Sequence, residues 1–335
     1  MDILIKSFNR PYYLDRCIQS IYLNCTGLDF NIKVLDDGTP QKYLDKLQEK
    51  FPEISISKSA HYDEKVACTA VGKEPEIKSI PIDLWVESAE KASDYFILLE
   101  DDIWFTEEIN LKNLTAPLQQ NKVQFVKLSW LGNPKLIQKK SQTVLGDFTI
   151  YKPKLFTSNE FLFYCIFYKL NRFGIRKMFE FLRIHTFDRM LSYYSIYSVA
   201  GVLFDKNYFL KLWKNHTNEV NEGLQLYNAL QFYNANKTIY FGHTHNEIVK
   251  TGFSTSATSQ IKNGALVDMF AFNFLLNEAW FTDHFDAMNN YPKDFDENQI
   301  HVIITNNSSL ISPKNWSNWK REFKRQYENF GCQID

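Results

Sequence analysis

The sequence predicts an α/β fold in which a mostly parallel sheet is flanked by helices on both faces. Over the first 105 residues, short apolar runs alternate with segments of helical periodicity, as they do in βαβ units. Several of these runs end in polar or acidic residues, and parallel sheets bind their ligands at the carboxyl ends of the strands. The same pattern therefore predicts both the fold and the position of a site.

The elements of this first part follow in the order βαβαβαβ. The first strand lies within residues 2–8. Leu14, Ile18 and Ile21 then recur at helical spacing after Pro11, and proline is typical of a first helical turn. The later elements are the strand FNIKVLDDG (30–38), the helix QKYLDKLQEKF (41–51), the strand EISIS (53–57), the helix PIDLWVESAEKASD (81–94) and the strand YFILLEDD (95–102).

The pattern continues less regularly after residue 105. Further strands are predicted in KVQFVKLSWLG (122–132), GDFTIYKP (146–153), VAGVLF (199–204) and TIYFGHTHN (238–246). We expect one α/β domain over residues 1–255, with halves at 1–105 and 106–255 and an aromatic, basic helical insert at about 155–197. Residues 256–335 are predicted to form a mainly helical appendage.

The composition excludes several classes of protein. The chain has 38 Lys and Arg against 39 Asp and Glu, so a net charge of −1 gives no basic field for nucleic acid. The five cysteines lack CxxC spacing, which argues against a disulfide framework or a zinc site. The chain opens with a strand and contains no apolar run of about 18 residues, so we expect a cytoplasmic protein without a spanning helix.

Three polar clusters follow strands of the predicted sheet, so they should meet at its carboxyl edge. They are Ser7, Asn9 and Arg10 after the first strand, Asp36 and Asp37 after the second, and Glu100, Asp101 and Asp102 after the fourth. Adjacent carboxylates repel one another and lose hydration unless a cation neutralises them. Because oxygen ligands suit Mg²⁺ and Mn²⁺, Asp101 and Asp102 indicate a metal site for a diphosphate; a solvated acidic loop is the alternative.

Three segments together resemble the GT-A glycosyltransferases and lie close to the pattern of family 2 of those enzymes. They are ILIKSFNRPYYLDRCIQSIY (3–22), IKVLDDGTPQKYLDKL (32–47) and YFILLEDDIWF (95–105). The DxD-type motif of the family is written here as Glu100-Asp101-Asp102, which is also similar to the EDD motif of animal N-acetylglucosaminyltransferases. The resemblance covers the first third of the chain and is loose beyond it.

The resemblance implies a hexosyl- or N-acetylhexosaminyltransferase that uses a nucleotide-diphosphate sugar, in particular a UDP-sugar, with Mn²⁺ or Mg²⁺. It implies inversion at the anomeric carbon and a glycan or lipid-linked glycan acceptor, in bacterial surface polysaccharide synthesis. Residues 1–105 would bind the nucleotide and residues 106–255 the acceptor. Peripheral contact with the inner face of the plasma membrane is an open alternative to a purely cytoplasmic location.

The resemblance also implies roles by position. The residues that would line the nucleotide pocket are Ser7, Asn9 and Arg10. Asp36 or Asp37 would contact the uridine, although a turn-forming role is the alternative for Asp37. Asp102 would bind the metal, and Asp101 would contact the donor ribose or sugar. Glu100 would support these two carboxylates without binding the metal itself.

A catalytic base is implied at the start of a late helix, often as the first acid of an ED pair. Glu219 and Glu222 precede an apolar helical run, and a carboxylate there could take the proton from the attacking acceptor hydroxyl. Gly223 stands where the second acid of the pair would be. A helix-start acid favoured by the helix dipole is therefore an equal alternative for Glu222. Asp205 is a further candidate for the base.

Late histidines are also candidates, because many GT-A enzymes place one on the metal. The segment YFGHTHNEIVKTGFSTS (240–256) resembles the part of the family in which a histidine precedes glycine and small hydroxyl residues. His245 is the first candidate ligand and His243 the second. Residues at i and i+2 of a strand point the same way, so one histidine could bind metal while the other is structural.

Other families fit the sequence less well. VLDDGT (34–39) resembles the DxDGT motif of haloacid-dehalogenase phosphatases, but Leu35 replaces the nucleophilic aspartate. Sugar-nucleotide-forming nucleotidyltransferases and Rossmann oxidoreductases need a glycine-rich loop after the first strand, and KSFNRPYY (6–13) has no glycine. A degenerate transferase that binds a nucleotide sugar or glycan without catalysis remains the alternative function.

Two segments combine aromatic and basic residues. Residues 166–190 hold six Lys or Arg against two acids, which suits an anionic membrane or a phosphate-bearing acceptor, or else a solvated helix face over a core. In residues 315–330, Trp319, Phe323 and Tyr327 share one helical face with cations beside it. That face is predicted either to contact a bilayer or to dock on the protein itself.

Overall fold

The predicted α/β class, with a sheet flanked by helices, is confirmed by a computed structural model of the chain, in which the sheet is mixed, with four parallel and four antiparallel pairings. This structure describes residues 1–169, 171–219, 221–258, 267–306 and 311–334. Parts of the predicted C-terminal appendage, at 259–266, 307–310 and 335, lie outside the described residues. Within the described ranges, no helix combines the length and apolar character that a membrane crossing needs.

The strands are apolar where helices cover both faces of the sheet. In β5, Ile97 and Leu99 belong to the core of one face and Phe96 and Leu98 to the core of the other. In chain order the strands are β1 (Asp2–Ser7), β2 (Cys25–Thr26), β3 (Asn31–Asp36), β4 (Ser55–Lys58), β5 (Tyr95–Glu100), β6 (Ile103–Phe105), β7 (Ile109–Asn110), β8 (Val123–Lys127), β9 (Lys139–Leu145), β10 (Phe148–Pro153), β11 (Val202–Asp205), β12 (Tyr240–Thr244) and β13 (Val249–Thr251).

The helices predicted at 41–51 and 81–94 are present, and Pro11 begins the first helix of the chain. In chain order they are α1 (Pro11–Asn24), α2 (Gln41–Lys50), α3 (Tyr62–Thr69), α4 (Ile82–Glu90), α5 (Leu111–Thr115), α6 (Glu160–Phe163), α7 (Ile175–Phe181), α8 (Phe187–Leu191), α9 (Lys206–Leu212), α10 (Glu222–Ala235), α11 (Met269–Phe281), α12 (Glu297–Asn306) and α13 (Pro313–Asn329). The sequence did not predict α3, which follows β4.

Nine strands of the described residues form one sheet, in the order β4-β3-β1-β5-β11-β8-β12-β10-β9. The strands β4, β3, β1 and β5 are parallel neighbours, and β12 is parallel to β8. In the described sheet, only β10 and β11 run in the direction opposite to the other seven strands. The carboxyl ends of the remaining strands therefore share one edge, where ligands of such sheets bind.

The predicted C-terminal segment is helical, but it shares a core with the first strand. Phe272, Leu276 and Trp316 are buried in the same cluster as Ile3 and Ile5. The stretch after residue 255 thus covers one face of the sheet. Amphipathic helices predict that a face is buried, but their pattern does not say against which partner.

The last helix packs on the protein through its aromatic face. Trp316 and Trp319 are 0% and 2% exposed. Phe323 and Tyr327 contact Phe253, with ring centroids 5.7 and 5.1 Å apart. The docking interpretation of this aromatic stripe is confirmed, and the interpretation as a bilayer contact is wrong.

Candidate active site

The carboxyl ends of β1, β3 and β5 meet at one edge of the sheet, as the sequence predicts. Ser7 pairs in register with Asp36 across β1 and β3, and Lys6 pairs with Glu100 across β1 and β5. A cavity of about 520 Å³ opens at this edge. The predicted site residues that line it are Ser7, Arg10, Asp37, Glu100 and Asp101.

The acids after β5 lie in a largely buried cluster with two cations. Arg10 forms ion pairs with Asp101 and, at 2.8 Å, with Asp102. Lys6 Nζ lies 2.7 Å from Glu100 Oε1. Three carboxylates therefore share two positive charges, which leaves one negative charge uncompensated in this cluster.

Asp102 carries the clearest sign of that imbalance. Burial raises the pKa of its carboxyl to about 7, since Arg10 offsets only part of the desolvation and of the repulsion from the neighbouring carboxylates. Asp102 Oδ1 is buried and meets no hydrogen-bond partner among the described residues. A buried oxygen of this kind is costly unless a ligand satisfies it.

The two acids after β3 have different roles. Asp36 is fully buried and holds the turn: Oδ1 accepts from Gly38 N at 3.0 Å and Thr39 N at 2.7 Å, and Oδ2 from the Thr39 hydroxyl at 2.6 Å. Asp37 lines the cavity and pairs with Lys65 at 2.5 Å. Of the predicted uridine contacts, the structure therefore favours Asp37, and the prediction for Asp36 is corrected to a structural role.

Asn9 is turned away from the cavity. Its backbone adopts φ 53°, and its N–H donates to the Thr39 hydroxyl at 2.9 Å. Asn277 of α11 donates to its side-chain oxygen at 3.0 Å. The prediction that Asn9 lines the nucleotide pocket is thus wrong, because this side chain joins the turn after β1 to the C-terminal helices.

The sequence reasoning missed the aromatic and basic walls of the cavity. Trp85 of α4 lies under the Lys6 ammonium, 4.6 Å from the ring centroid. Phe8 meets Phe270 of α11 edge to face, with centroids 6.2 Å apart. Lys65 lines the same cavity. The helical periodicity around Trp85 predicts that a helix packs beside the sheet there. No pattern in the sequence predicts that Phe270 or Lys65 lies near the carboxyl edge of the sheet.

Glu222 begins α10, at the predicted helix start. It is exposed, and its Oε2 accepts from the Tyr194 hydroxyl at 3.1 Å. Burial raises the pKa of Tyr197, and the negative charges of Glu222 and Glu100 raise it further.

Gly223, which stands where the resemblance implies a second acid, lies close to the insert. A Cβ at Gly223 would lie 3.3 Å from Tyr168 Cα, so a larger residue would crowd the backbone of the insert. Glu219 lies in the loop before α10, where it is exposed and bridges to Thr217. The Tyr194 contact distinguishes Glu222 from Glu219.

Asp205 lies at the opposite edge of the sheet. Because β11 is antiparallel, Asp205 pairs with Tyr95, at the start of the strand that Glu100 ends. That places it roughly 16 Å from Glu100 along the strand. Its Oδ1 accepts from Tyr208 N at 2.8 Å and caps α9. The prediction of a catalytic role for Asp205 is wrong.

The histidines are not brought to the acidic cluster. His243 lies in β12, three strands from β5 and so roughly 14 Å away across the sheet. Its Nδ1 is 2.7 Å from Thr244 O and its Nε2 is 3.1 Å from Lys139 Nζ. His245 follows β12, and its N–H donates to Asp147 O at 3.4 Å.

The predicted metal ligand set is therefore corrected. Across the described ranges, no three His, Cys, Asp or Glu side chains are grouped as metal ligands. The residue that reaches Asp102 from the late segment is Gly252, whose N–H donates to the Asp102 carbonyl at 2.8 Å. Part of the predicted segment 240–256, at Gly252, thus contacts the acidic cluster of Glu100, Asp101 and Asp102. His243 and His245, which belong to the same segment, do not contact it.

Comparisons with known proteins give structural likenesses at low identity. No family model and no curated protein matches the chain. Among solved structures, it is similar to S. aureus TarS 1–349 (TM-score 0.42, 10% identity, 98% of this chain and 91% of that chain). It is also similar to TarS 1–349 in complex with UDP-GlcNAc (0.39, 11%, 96% and 80%) and to the galactosyltransferase LgtC in complex with donor and acceptor sugar analogs (0.33, 13%, 78% and 81%).

Proposed function

We propose that the protein is a GT-A glycosyltransferase that moves a hexosyl or N-acetylhexosaminyl group from a UDP-sugar to a glycan or lipid-linked glycan. The observation that carries this proposal is the acidic cluster with one uncompensated negative charge, beside a cavity with basic and aromatic walls. A nucleotide diphosphate with a divalent cation offers the complementary groups, namely anionic oxygens, a flat base and a positive ion.

The cavity supports donor binding through groups that still need partners. The Nε of Arg10 and the Nε1 of Trp85 are buried and unpaired among the described residues, so both can donate to ligand oxygens. Phe8 and Trp85 offer ring surface for a base. Asp37, held by Lys65, offers a carboxylate to the ribose or to the base N–H.

A divalent cation fits the acidic cluster on two observations, the residual negative charge and the unpaired Oδ1 of Asp102 in the described part of the chain. Asp102 would hold Mn²⁺ or Mg²⁺, and Asp101 would stand beside it. The ion would offset negative charge on the leaving diphosphate. Arg10 positions both carboxylates through its two ion pairs.

Glu222 remains the proposed base, at the start of α10. Its carboxylate would accept the proton of the acceptor hydroxyl, and Tyr194 would orient it through the hydrogen bond to Oε2. In an inverting reaction, the base acts on the face of the sugar opposite the leaving diphosphate. We propose this stereochemistry, and a role in surface polysaccharide synthesis, by the resemblance of the N-terminal third.

The alternative function is nucleotide-sugar binding without catalysis. Two observations favour it. Glu222 is exposed and is absent from the lining of the cavity, and Gly223 stands where the resemblance implies a second acid. Such a protein would bind UDP-sugars with the same cation requirement and would not turn them over.

The test is release of UDP from a panel of UDP-sugars, with and without Mn²⁺, by the wild type and by Asp102→Asn. We expect Mn²⁺-dependent release by the wild type. In the variant, metal affinity should weaken by at least about 10- to 100-fold, because substitution of a residue that only supports a metal ligand already costs that much. Binding without release would support the alternative.

The matched control is Asp205→Asn, the same substitution at the opposite edge of the sheet. Asparagine also caps helices, so α9 should be retained. We expect wild-type activity from this control. Equal loss in both variants, or an unchanged Mn²⁺ dependence in Asp102→Asn, would contradict the assigned site.

A further inference from the structure

The insert between β10 and β11 exposes a concentration of large apolar side chains. Fifteen large apolar side chains are exposed in the described residues, and seven of them fall between positions 161 and 187. Phe181 is 87% exposed and Phe173 is 75% exposed. The others are Phe161, Met178, Leu182, Ile184 and Phe187. Such clustering marks an interaction surface, whereas single exposed apolar residues need no explanation.

The helix α7 presents these side chains outwards. Met178, Phe181 and Leu182 are spaced i, i+3 and i+4, so they share one face. In the described part of the chain, none of the residues of α7 itself is buried. The Asn171 side chain holds the start of the helix, accepting from Arg176 N at 2.7 Å and from the next N–H at 3.2 Å.

The inner side of the insert packs against the core of the protein. Its exposed apolar side chains therefore belong to a supported part of the fold and not to a loose loop. Phe163, Ile166 and Phe167 are buried in the second core. Phe163 and Phe167 both contact Tyr193, with ring centroids 4.7 and 5.1 Å apart. The insert thus has one apolar side inside the protein and another facing outwards.

Cations border the exposed apolar side chains. Of the two acids in residues 166–190, Glu180 pairs with Arg176 at 2.8 Å and Asp188 with Lys135 at 2.8 Å. The cations left without a carboxylate partner among the described residues are Lys169, Arg172, Lys177, Arg183 and Arg189. The surface therefore carries a local positive charge in a protein whose net charge is −1.

We propose that this surface, formed by Phe173, Lys177, Met178, Phe181, Leu182 and Arg183, docks on an anionic phospholipid bilayer. Aromatic and aliphatic side chains would enter the headgroup region, and the cations would meet lipid phosphates. A second copy of this chain is a poorer occupant, because two such surfaces would set like charges against each other. The proposal does not depend on the proposed transferase activity.

The insert that carries this surface packs on the helix that carries Glu222. Tyr168 of the insert stacks on Tyr227 of α10, with centroids 5.7 Å apart. Tyr194, which follows α8, donates its hydroxyl to Glu222. A bilayer contacted by α7 would thus lie near the start of α10, where a lipid-linked acceptor would have to arrive.

The test is co-sedimentation of the full chain with phosphatidylcholine vesicles, with and without phosphatidylglycerol, at low and high salt. We expect binding that requires phosphatidylglycerol and weakens with salt. The double variant Lys177→Glu/Arg183→Glu should lose at least about 30-fold in affinity, since each basic side chain near an anionic surface contributes about a factor of five. Phe181→Ser/Leu182→Ser should also weaken binding.

The matched controls are Lys91→Glu/Lys112→Glu and Val144→Ser, which change exposed residues elsewhere. Both should bind vesicles as the wild type does. Because α7 buries none of its described residues, its variants should melt at the wild-type temperature. The proposal is overturned if the wild type does not bind phosphatidylglycerol vesicles at low salt, or if the controls lose vesicle binding as much as the α7 variants do. It is also overturned if the α7 variants bind vesicles normally and instead disrupt a dimer of the protein.

Discussion

At the scale of single residues, Glu222 and Glu219 form a natural pair of test sites. Both are exposed and lie three positions apart, but only Glu222 receives the Tyr194 hydroxyl. Glu222→Gln keeps the shape of the side chain and removes the proton acceptor. We therefore expect near-normal UDP-sugar binding by calorimetry and a loss of transfer of about 100-fold or more, the usual contribution of a general base.

Glu219→Gln is the control for this experiment, and it should retain transfer. A pH–rate profile adds an independent check, because loss of a base removes the acidic limb of the profile. If Glu222→Gln transfers normally and Glu219→Gln does not, the base has been assigned to the wrong glutamate.

Lys127 provides a second residue-scale prediction. It ends β8, is 3% exposed, and donates to Tyr197 O at 3.0 Å. Burial lowers the pKa of its ammonium to about 7. Between this value and about 10.4, its value in unfolded chains, the unfolded state binds the proton and the folded state does not. The contribution of Lys127 to stability therefore rises with pH in this window and is least favourable below pH 7.

We predict that Lys127→Met removes this rise. The free energy of unfolding of the wild type relative to the variant should increase by up to about 1.4 kcal/mol for each pH unit within the window. Urea unfolding at several pH values measures the difference. Lys112→Met, at an exposed lysine, should leave the pH dependence as it is in the wild type. A constant difference for Lys127→Met would show that this lysine stays charged when folded.

Residue roles at the sheet edge were only partly predictable. The sequence places Asp36 and Asp37 together after β3, but the choice between them depends on backbone hydrogen bonds of the turn, to Gly38 and Thr39. Lys65 could not be predicted as the partner of Asp37, because it belongs to a helix without a clear apolar period. Spacing identifies where polar groups gather, and turn geometry decides which of them face the ligand.

At the scale of elements, α13 tests how firmly the C-terminal segment is joined to the sheet. Trp316 is fully buried, and its Nε1 donates to Ser254 O at 2.9 Å. We predict that Trp316→Ala lowers the free energy of unfolding by about 3–5 kcal/mol, the cost of a large cavity in a core. Urea denaturation followed by circular dichroism measures it.

Phe330 gives the corresponding control at the end of the same helix. It is 47% exposed and stacks on Phe187, with centroids 5.2 Å apart. Phe330→Ala should cost less than about 1 kcal/mol, as surface substitutions usually do. Similar costs for both variants would mean that α13 is held along its length and not through its buried tryptophans.

The amphipathic pattern of α13 shows the limit of element-scale prediction. Its aromatic stripe indicates that one face is covered, and both a bilayer and the protein could cover it. The apolar surface of Phe253, more than sixty positions earlier in the chain, decides the matter. In α7, by contrast, no described part of the protein covers the exposed face.

At the scale of the whole molecule, the sheet was largely predictable and its covering was not. Apolar alternation and the acids after the strands predict β1, β3, β4 and β5 and their common edge. The antiparallel direction of β11 leaves no mark on a short apolar strand, so the sequence did not show that Asp205, a candidate for the base, lies at the opposite edge. The C-terminal helices contact the site residues through packing between distant parts of the chain, and no local sequence pattern predicts such contacts.

The turn after β1 and the helix α1 that follows it are held by partners that lie far along the chain. Asn9 accepts from Asn277, Tyr12 donates to Asn273, and Arg16 donates to Ala287 O, over separations of 268, 261 and 271 residues. On a ribosome, which makes the chain from its N-terminus, these partners emerge more than 260 residues after the residues that they hold. The edge that is proposed to bind the donor is therefore completed only after α11 and the segment that follows it have been made. An incomplete nascent chain would expose this acidic edge without the helices that shape it, and translation would have to pass α11 before the proposed nucleotide site could form.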